Sequence, residues 1–522
     1  MQNKTAELTR ACLLRTAGLP VPISSAESEI IAPAQRLAAG GQPLTEPPRR
    51  LLRPVFTHLN GEHGGSVLEP EPLSGIAQMP KKEETAVYRP EAVQARLDEV
   101  RAGCAKLPHG EDGIAPLLGL LEKQLTNLPA PVEGSDDISL YDYCKLTAAI
   151  CSCIAHREDP ATLDRLQKEG CFLLYSADFS GIQSFIYTVH THGALRALRS
   201  RSFVLELLME HYMDELLDAC GVSRANLLYS GGGHCYLLLP NTETVKTALT
   251  DWNRRFNDWL AEQFGTRLFL AHGWAECTGD ELLNIPAEDS PQKDMFHRVS
   301  SEVSRHKLHR FSANQLRRLN SGRADGTDRE CKVCGQANVV RGSNGSDGDR
   351  CYWCNLFETI SGGLLQEEQF FFWVGDLPKG ERSFSLPTVE GAIGMALTNG
   401  AQVDARLQAG RRPRRIYSVN QYCPTLPRCT ILHIGNYASA TDMEALAGVS
   451  EGIPRIGVCR MDVDNLGQSF VAGFERPDEP GAAEKSRYVS LVRTAAFSRR
   501  MSLFSKAIST ASSPARMAKK SR

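Results

Sequence analysis

The sequence has 522 residues, enough for three or four domains that each bury a hydrophobic core. Its 59 basic and 61 acidic side chains nearly cancel, which excludes bulk attraction to nucleic acids or membranes and leaves only local patches for such contacts. No apolar run is long enough for a transmembrane helix, the first residues lack a signal-peptide core, and most of the 16 cysteines lie among apolar neighbours, as reduced core residues do. We therefore predict a soluble cytoplasmic protein without membrane contact.

The N-terminal third predicts helices and loops. Residues 1–45 read as short helical pieces, because prolines interrupt them. These prolines are Pro20, Pro22, Pro33 and Pro43. Residues 47–82 are rich in Pro and Gly and predict loops with an edge strand. Further helices are predicted to begin at Pro90 and at Leu140.

Residues 172–185 run from an apolar strand into Asp178 and a turn, and a helix is predicted over residues 203–220. This helix carries acidic residues at every fourth position, which draw one polar stripe on a surface otherwise made of Leu, Met and Phe. The four acids are Glu206, Glu210, Asp214 and Asp218. Gly221 provides the C-terminal stop. Because the remaining surface is apolar, we expect the helix to pack on a sheet.

Residues 226–240 form two apolar strands around a glycine-rich turn, which predicts a β-hairpin. With the amphipathic residues 245–264 and the strand-like residues 267–272, the pattern fits a ferredoxin-like βαββαβ unit. The glycines of the turn have two interpretations: turn chemistry alone, or a backbone that approaches a nucleotide phosphate. His234 beside them is more typical of a packed side chain than of a catalytic residue.

Two C-x₂-C pairs give the most specific local signal. They are Cys331, Cys334, Cys351 and Cys354. Sixteen residues rich in Gly, Ser and Asp join the pairs, which is the spacing of a four-thiolate zinc ribbon. Two disulfides or a redox dithiol are the alternatives. Four thiolates leave no open position for water, so we predict a structural zinc site.

Residues 370–450 predict strands that alternate with loops, and one loop holds the basic cluster Arg411–Arg415. This cluster either contacts RNA or phosphates or lies in a solvated surface loop, and we favour the surface loop.

Residues 455–470 repeat the earlier strand-and-turn pattern with a stronger acidic motif. The apolar run ends in Asp462 and Asp464, where the first copy has Asp178 and Ser180. Paired carboxylates after a strand are ligands for Mg²⁺ or Mn²⁺ in phosphoryl transfer, whereas a polar turn is the simpler alternative. An EF-hand fits worse, because Leu466 stands where an oxygen ligand belongs. The repetition indicates duplicated domains, one of them degenerate.

The combination of these motifs resembles the large, palm-domain subunit of type III-A CRISPR-Cas interference (Csm) complexes. The matching elements are residues 136–150, 178–185, 198–203 and 229–233, the two C-x₂-C pairs, and residues 460–467. The resemblance implies two palm domains related to nucleotide cyclases (GGDEF-like), a zinc-containing domain, an HD nuclease domain and a helical C-terminal domain. It also implies a cytoplasmic, guide-RNA-containing multisubunit complex that makes cyclic oligoadenylates from ATP on binding target RNA. Members with the HD domain cut single-stranded DNA, a further expected partner.

The resemblance also implies roles for individual residues. Asp462 and Asp464 match the catalytic, metal-holding acids of the second palm, and the four cysteines match the zinc ligands. The nucleotide-binding positions implied are Ser230, Gly231, Gly232, Gly233 and Asn465.

The expected class is α+β multidomain, with one complete and one incomplete palm. The expected regions are residues 1–45 (remnant of an HD-type helical domain), 46–169 (linker and helices), 170–290 (degenerate first palm), 291–375 (helices and zinc ribbon), 376–454 (connecting α/β region) and 455–522 (truncated second palm).

The sequence departs from the family pattern in two respects. It has no His-Asp motif, and it lacks the Gly-Gly-Asp-Asp turn, whose hairpin is expected beyond residue 522. We therefore expect a chain truncated at both ends that cannot cyclise ATP, because acids from one strand cannot fill the octahedral shell of Mg²⁺. The alternatives are a non-catalytic scaffold for assembly of the RNA complex and a stand-alone nucleotide cyclase, which the missing hairpin disfavours.

Overall fold

A computed structural model describes residues 2–73, 79–157, 162–188, 194–321, 330–336, 350–365, 370–377, 383–434, 443–448, 450–457 and 464–508. Within these ranges the chain forms a two-stranded, a four-stranded and a five-stranded sheet, surrounded by helices. None of the helices described is both long and apolar enough to cross a bilayer.

The N-terminal region is helical. Its helices are α1 (Gln2–Thr16), α2 (Ser25–Ala38), α3 (Pro90–Cys104), α4 (Ile114–Leu125), α5 (Leu140–Ala155) and α6 (Leu163–Lys168). Helix α5 is almost wholly buried and packs against α1 and α2. The predicted edge strand is the short pair β1 (Ser66–Val67) and β2 (Lys81–Lys82).

The predicted break at Pro33 is wrong, because Pro33 lies inside α2. Ser24 and Glu27 form a capping box at the start of this helix, and Ile31 and Leu37 are buried in the core. The cap and the apolar burial offset the hydrogen bond that proline removes. The helix starts predicted at Pro90 and Leu140 are confirmed.

A four-stranded antiparallel sheet forms the centre of the molecule. Its strands are β3 (Phe172–Ser180), β4 (Leu227–Gly231), β5 (His234–Pro240) and β6 (Phe269–Cys277), in the spatial order β4-β5-β3-β6. The accompanying helices are α7 (Ile182–Tyr187), α8 (Ala194–Ala219) and α9 (Glu243–Phe264). The predicted βαββαβ order and the hairpin are confirmed. Leu173 and Tyr175 of β3 pack in one core with α8 and α9, whereas Phe172 and Leu174 pack with α5 on the other face.

The following segment returns across the sheet. It contains α10 (Gly279–Leu283), α11 (Pro291–Leu308) and α12 (Ala313–Asn320). Helix α11 packs on β6 and β3, so both faces of the sheet are covered. This explains why β3 reads as a continuous apolar run rather than an alternating one.

The five-stranded sheet has the spatial order β11-β10-β7-β9-β8. Its strands are β7 (Phe370–Gly375), β8 (Phe384–Pro387), β9 (Ala392–Asn399), β10 (Pro413–Val419) and β11 (Cys429–Leu432), with helices α13 (Tyr352–Leu365) and α14 (Gly400–Gln408). The last helices are α15 (Met443–Ala447), α16 (Leu466–Ala472), α17 (Ala482–Lys485) and α18 (Leu491–Leu503), followed by a π-helical turn, Phe504–Ile508.

Acidic residues of α8 lie between the two sheets, where they form an ion-pair network. The α8 ion-pair network consists of Glu210, Asp214, Glu215 and Asp218 with Arg224, Arg414 and Arg415. Arg224 lies 2.6 Å from both Glu210 and Asp214. Burial alone would raise the pKa of Asp214, but Arg224 and Arg415 lower it below its usual value. The α8 ion-pair network therefore holds the five-stranded sheet against the βαββαβ unit.

The favoured surface-loop interpretation of the basic cluster is wrong for Arg414 and Arg415. Both lie on β10, and the side chain of Arg415 is only 7% exposed. The acids that bind them come from a helix about 200 residues earlier in the chain, a proximity that no local pattern contains. Arg412 remains exposed.

We expect Arg415→Met to destabilise the protein by about 2 kcal/mol, because it removes one of the two cations that pair with Asp214 and with the fully buried Glu215. The shift of the urea unfolding transition measures this loss. Removing the exposed Arg254 by Arg254→Met is the matched control and should cost less than about 1 kcal/mol. Equal effects of the two substitutions would contradict the role of the network.

Candidate functional site

A cleft of about 650 Å³ lies between the β4–β5 strands and helices α11, α16 and α18. We call it the aromatic cleft, because six ring-bearing side chains line it. These are Tyr229, His234, Tyr236, Phe296, His297 and Phe470. The wall is therefore assembled from three separate parts of the sequence.

The rings of the cleft contact one another in an extended array. The centroid of Tyr229 lies 5.6 Å from that of Phe470, and the centroid of Tyr236 lies 5.3 Å from that of Phe296. His234 lies 4.8 Å from Tyr236, centroid to centroid. Flat, partly exposed rings of this kind can stack on a planar ligand such as a nucleobase.

His234 is held as a neutral, packed side chain. Its Nε2 atom and the hydroxyl of Ser176 share a hydrogen bond of 2.7 Å. Burial lowers the pKa of His234, although nearby Asp178 opposes the shift. The carboxylate of Asp178 is itself paired with Lys307 from α11. This environment agrees with the packed interpretation of His234, since its partner Ser176 is fully buried.

The predicted turn residues lie beside the cleft rather than in its wall. Gly232 and Gly233 both have positive φ, +62° and +81°, as a two-residue hairpin turn requires. A Cβ on Gly233 would lie 2.4 Å from Ile182 Cδ1, whereas one on Gly232 would meet no atom within 4 Å. The Ser230 hydroxyl donates to Glu210 on α8, at 3.2 Å. The turn conformation accounts for Gly232 and Gly233, and the nucleotide-binding role of Ser230, Gly231, Gly232 and Gly233 stays a prediction. The flanking Tyr229 and His234 reach the cleft.

The second acidic motif reaches the cleft through α16. Asp462 lies outside the described residues. Asp464 is exposed, and Asn465 adopts a left-handed conformation (φ +55°) before the first residue of the helix. The next two residues, Leu466 and Gly467, line the aromatic cleft. The metal-ligand role of the two acids stays a prediction.

The four predicted cysteines meet in one cluster. Their Sγ atoms all lie within 4.8 Å of one another, so the cluster can hold a metal ion. The Sγ atoms of Cys334 and Cys351 are 3.8 Å apart, close to the separation of about 3.8 Å that a tetrahedral site with Zn–S bonds of about 2.3 Å requires. Hydrogen bonds from the Cys351 and Cys354 thiols lower the pKa of Cys334. The identity of the metal stays a prediction.

Arg201 supports this cluster and was not anticipated from the sequence. Its guanidinium is buried between the rings of Phe185 and Phe357, at 5.1 and 5.0 Å from their centroids. It donates to the sulfur of Cys354 at 3.4 Å and to the carbonyl of Phe185 at 2.8 Å. Arg201 belongs to residues 198–203, one of the elements that carry the family resemblance, but its partner lies 153 residues away. The position of this arginine on an apolar face of a helix was the feature of the sequence that could have indicated a buried role.

A second group of possible ligands is explained by ion pairs. The ligand atoms of His58, Asp136 and Asp137 approach one another within 4.8 Å. However, Arg53 lies 3.2 Å from Asp136, and Arg493 binds both oxygens of Asp137 at 2.7 and 2.8 Å. Because these arginines already neutralise the carboxylates, the group forms an internal ion-pair network rather than a cation site.

Comparison with known proteins identifies the family. The sequence model "Csm1 subunit domain B" matches residues 171–322. The single-strand-specific deoxyribonuclease Cas10/Csm1 (subtype III-A) of Mycobacterium tuberculosis is 38% identical over 434 residues, which cover 78% of this chain and 52% of that protein. The protein of the same name from Enterococcus italicus is 32% identical over 492 residues, covering 88% of this chain and 60% of its own length. The chain belongs to the Cas10/Csm1 family of type III-A CRISPR systems.

Solved Csm1 structures share the fold. A Csm1–Csm4 cassette in complex with one ATP superimposes with a TM-score of 0.66 at 21% identity, covering 96% of this chain and 68% of the solved chain. A cassette in complex with pppApA gives a TM-score of 0.65 at 22% identity and covers 91% of this chain and 57% of the solved one. The predicted mixed α/β multidomain class is confirmed. The chain spans 52% and 60% of the two Cas10/Csm1 relatives described above.

We expect Gly233→Ala to destabilise the protein by about 1–3 kcal/mol, because alanine is strained at this φ and its methyl group would displace Ile182. Gly232→Asn is the matched variant and should cost less than about 0.5 kcal/mol, since asparagine tolerates a left-handed conformation and the surrounding space is open. Urea unfolding measures both. Similar losses at the two positions would argue against the assignment of Gly233 to turn packing.

Proposed function

We propose that the aromatic cleft binds ATP, and that the chain acts as the large subunit of a guide-RNA-containing type III-A complex. One observation carries the proposal: the cleft joins the hairpin of the βαββαβ unit to the helix that directly follows Asp464 and Asn465. The two motifs that looked duplicated in the sequence thus contribute to a single cavity. Its volume of about 650 Å³ suits one nucleotide.

The adenine ring would stack in the array that includes Tyr229, Tyr236 and Phe470, since stacking on an aromatic ring is worth about 1–3 kcal/mol per base. Lys293 at the cleft is half exposed and pairs only loosely with Glu475, at 3.8 Å, so its ammonium is available to a phosphate. The nucleotide would then be bound by its base on the sheet side and by its phosphates near α16.

Asp464, with Asp462 two residues before it, would hold Mg²⁺ or Mn²⁺ beside the phosphates. Among the described residues Asp464 makes no ion pair, so its carboxylate fits the demand of a hard cation for oxygen ligands. When bound, such a cation neutralises phosphate charge and polarises the phosphoryl group. Asn465 lies next to this position and would contribute a polar contact to the nucleotide.

The βαββαβ unit would then be the first, degenerate palm domain, and the strand predicted from the sequence before Asp464 would open the second, with the region limits predicted from the sequence. The thiolate cluster would be a zinc ribbon between them. Supporting this assignment, solved Csm1–Csm4 cassettes include complexes with ATP, pppApA and cA4. A Csm4-type subunit, guide and target RNA, and single-stranded DNA are the partners we propose. Synthesis of cyclic oligoadenylates is the reaction we propose for the complete assembly.

Tyr229→Ala should weaken binding of a non-hydrolysable ATP analogue to the full chain by about tenfold or more, because a stacking ring is lost. Isothermal titration calorimetry with Mg²⁺ present measures the affinity. Tyr187→Ala is the control, since Tyr187 is exposed outside the cleft. If the unaltered chain bound no analogue, the nucleotide proposal would be refuted and a non-catalytic scaffold role would be favoured.

The purified chain should contain one zinc ion per molecule, measured by elemental mass spectrometry. Cys351→Ser with Cys354→Ser should abolish this content and lower the melting temperature, since a closed site contributes folding free energy to its own module. Cys104→Ser, at a half-buried cysteine outside the cluster, should retain the metal. A metal content that is unchanged in the double variant would disprove the assignment.

A further inference from the structure

A basic surface extends from the last turn of α11 to the end of α12. The α11–α12 basic surface consists of Arg305, Lys307, Arg310, Arg317 and Arg318. The stretch from residue 303 to residue 321 contains no acidic residue, in a chain whose formal net charge is only −2. We propose that this surface binds single-stranded nucleic acid. It rests on the nucleic-acid partners proposed above and assigns them a surface, and it does not depend on nucleotide binding in the aromatic cleft.

Two of the five cations have no acidic partner within the part of the chain that the structure describes. Arg310 donates only to the carbonyl of Lys307, at 3.1 Å, and Arg317 donates only to the side-chain oxygen of Asn314, at a long 3.5 Å. Both side chains belong to exposed residues. Their guanidinium groups are therefore free to bind phosphate, which they can contact through two parallel hydrogen bonds.

The other three cations form ion pairs that a nucleic acid could replace or extend. Arg305 pairs with Glu302, and Arg318 pairs with Glu262 at 3.4 Å; these arginine side chains are 72% and 67% exposed. Exposed pairs of this kind contribute at most about 1 kcal/mol, so exchange of a carboxylate for a phosphate costs little. Lys307 is held more firmly by Asp178 at the end of β3.

Apolar side chains are interleaved with the cations. Leu308, the last residue of α11, is 82% exposed. Phe311, in the link between the two helices, is half-buried and packs edge-on against Phe269, with 5.9 Å between ring centroids. Cations that alternate with a ring and an exposed aliphatic side chain provide both phosphate and base contacts. A partner protein with an acidic surface would be bound by the cations alone and would not require these apolar contacts.

The helix dipole offers a simpler explanation for part of this charge. Arg305 and Lys307 lie in the last turn of α11, and Arg317 and Arg318 lie in the last turn of α12, where cations stabilise a helix by about 0.3–1 kcal/mol each. The dipole does not account for Arg310, which follows the end of α11. The helix dipole also gives no reason why residues 303–321 contain no acidic residue.

The position of the surface also fits a strand that approaches the cleft. Helix α11 lines the aromatic cleft through residues near its start, including Phe296 and Ser300. Leu308 is eight residues beyond Ser300, a distance of about 12 Å along the helix axis. A nucleic-acid strand bound by the basic surface would therefore run beside the end of β3, close to Asp178.

The test compares two triple variants of the full chain that lose the same charge. Arg310→Gln/Arg317→Gln/Arg318→Gln alters the basic surface, and Lys81→Gln/Arg101→Gln/Lys168→Gln removes three exposed cations elsewhere. Fluorescence anisotropy with a labelled 20-nucleotide RNA and a DNA of the same sequence, at several KCl concentrations, measures affinity and its salt dependence. Thermal unfolding establishes that both variants fold.

We expect the surface variant to bind at least tenfold more weakly, with the slope of log K against log salt reduced by about 2, as the loss of three phosphate contacts predicts. A loss with RNA alone or with DNA alone supports the proposal and identifies the ligand. Three results would overturn it: no binding by the unaltered chain, an equal loss in the control variant, or displacement of the RNA by polyglutamate at the same charge concentration, which would indicate an acidic protein partner.

Discussion

The arrangement of the molecule depends on the buried acids of α8. A carboxylate that is removed from water must be paired, and the acids of this helix find their cations on three different elements. Arg415 comes from β10, Arg224 from the turn before β4, and Lys506, which binds Glu206, from the turn after α18. Because desolvated charges tolerate little displacement, these pairs fix the second sheet and the C-terminal helix relative to the first unit more strictly than apolar packing alone would.

The aromatic cleft is a consequence of this constraint. Its floor belongs to the first unit, but α16 and α18, which form the opposite wall, follow about 230 residues later. Helix α18 is fixed a second time by Arg499, which binds both oxygens of Asp142 at 2.8 Å, and by Arg493 on Asp137. A cleft closed by charge pairs on two sides retains its shape without a ligand. Such a pre-formed wall lowers the entropic cost of ordering rings around a planar ligand.

Local patterns in the sequence were sufficient for the features that depend on local physics. The hairpin around Gly232 and the βαββαβ order follow from apolar periodicity and turn chemistry, and the cysteine cluster follows from spacing. The features that failed depend on distant partners. Neither the burial of Arg415 nor the contact of Arg201 with a cysteine can be read from its neighbours. Pro33 is tolerated because the capping box and the packing of α2 on α5 offset the lost hydrogen bond. The hydroxyl of Ser230 contacts Glu210, and the expected role of Ser230 at a nucleotide stays a prediction.

The two copies of the strand-and-turn motif differ in their electrostatics, and this difference explains how one cleft could use both. In the first copy the ammonium group of Lys307 lies against Asp178, where a metal ion would have to bind. That carboxylate is already neutralised, so the first copy can supply rings and backbone but has little remaining affinity for a divalent cation. Asp464, in the second copy, has no such cation among the described residues. Under the nucleotide proposal, metal binding therefore belongs to the second copy and base binding to the first.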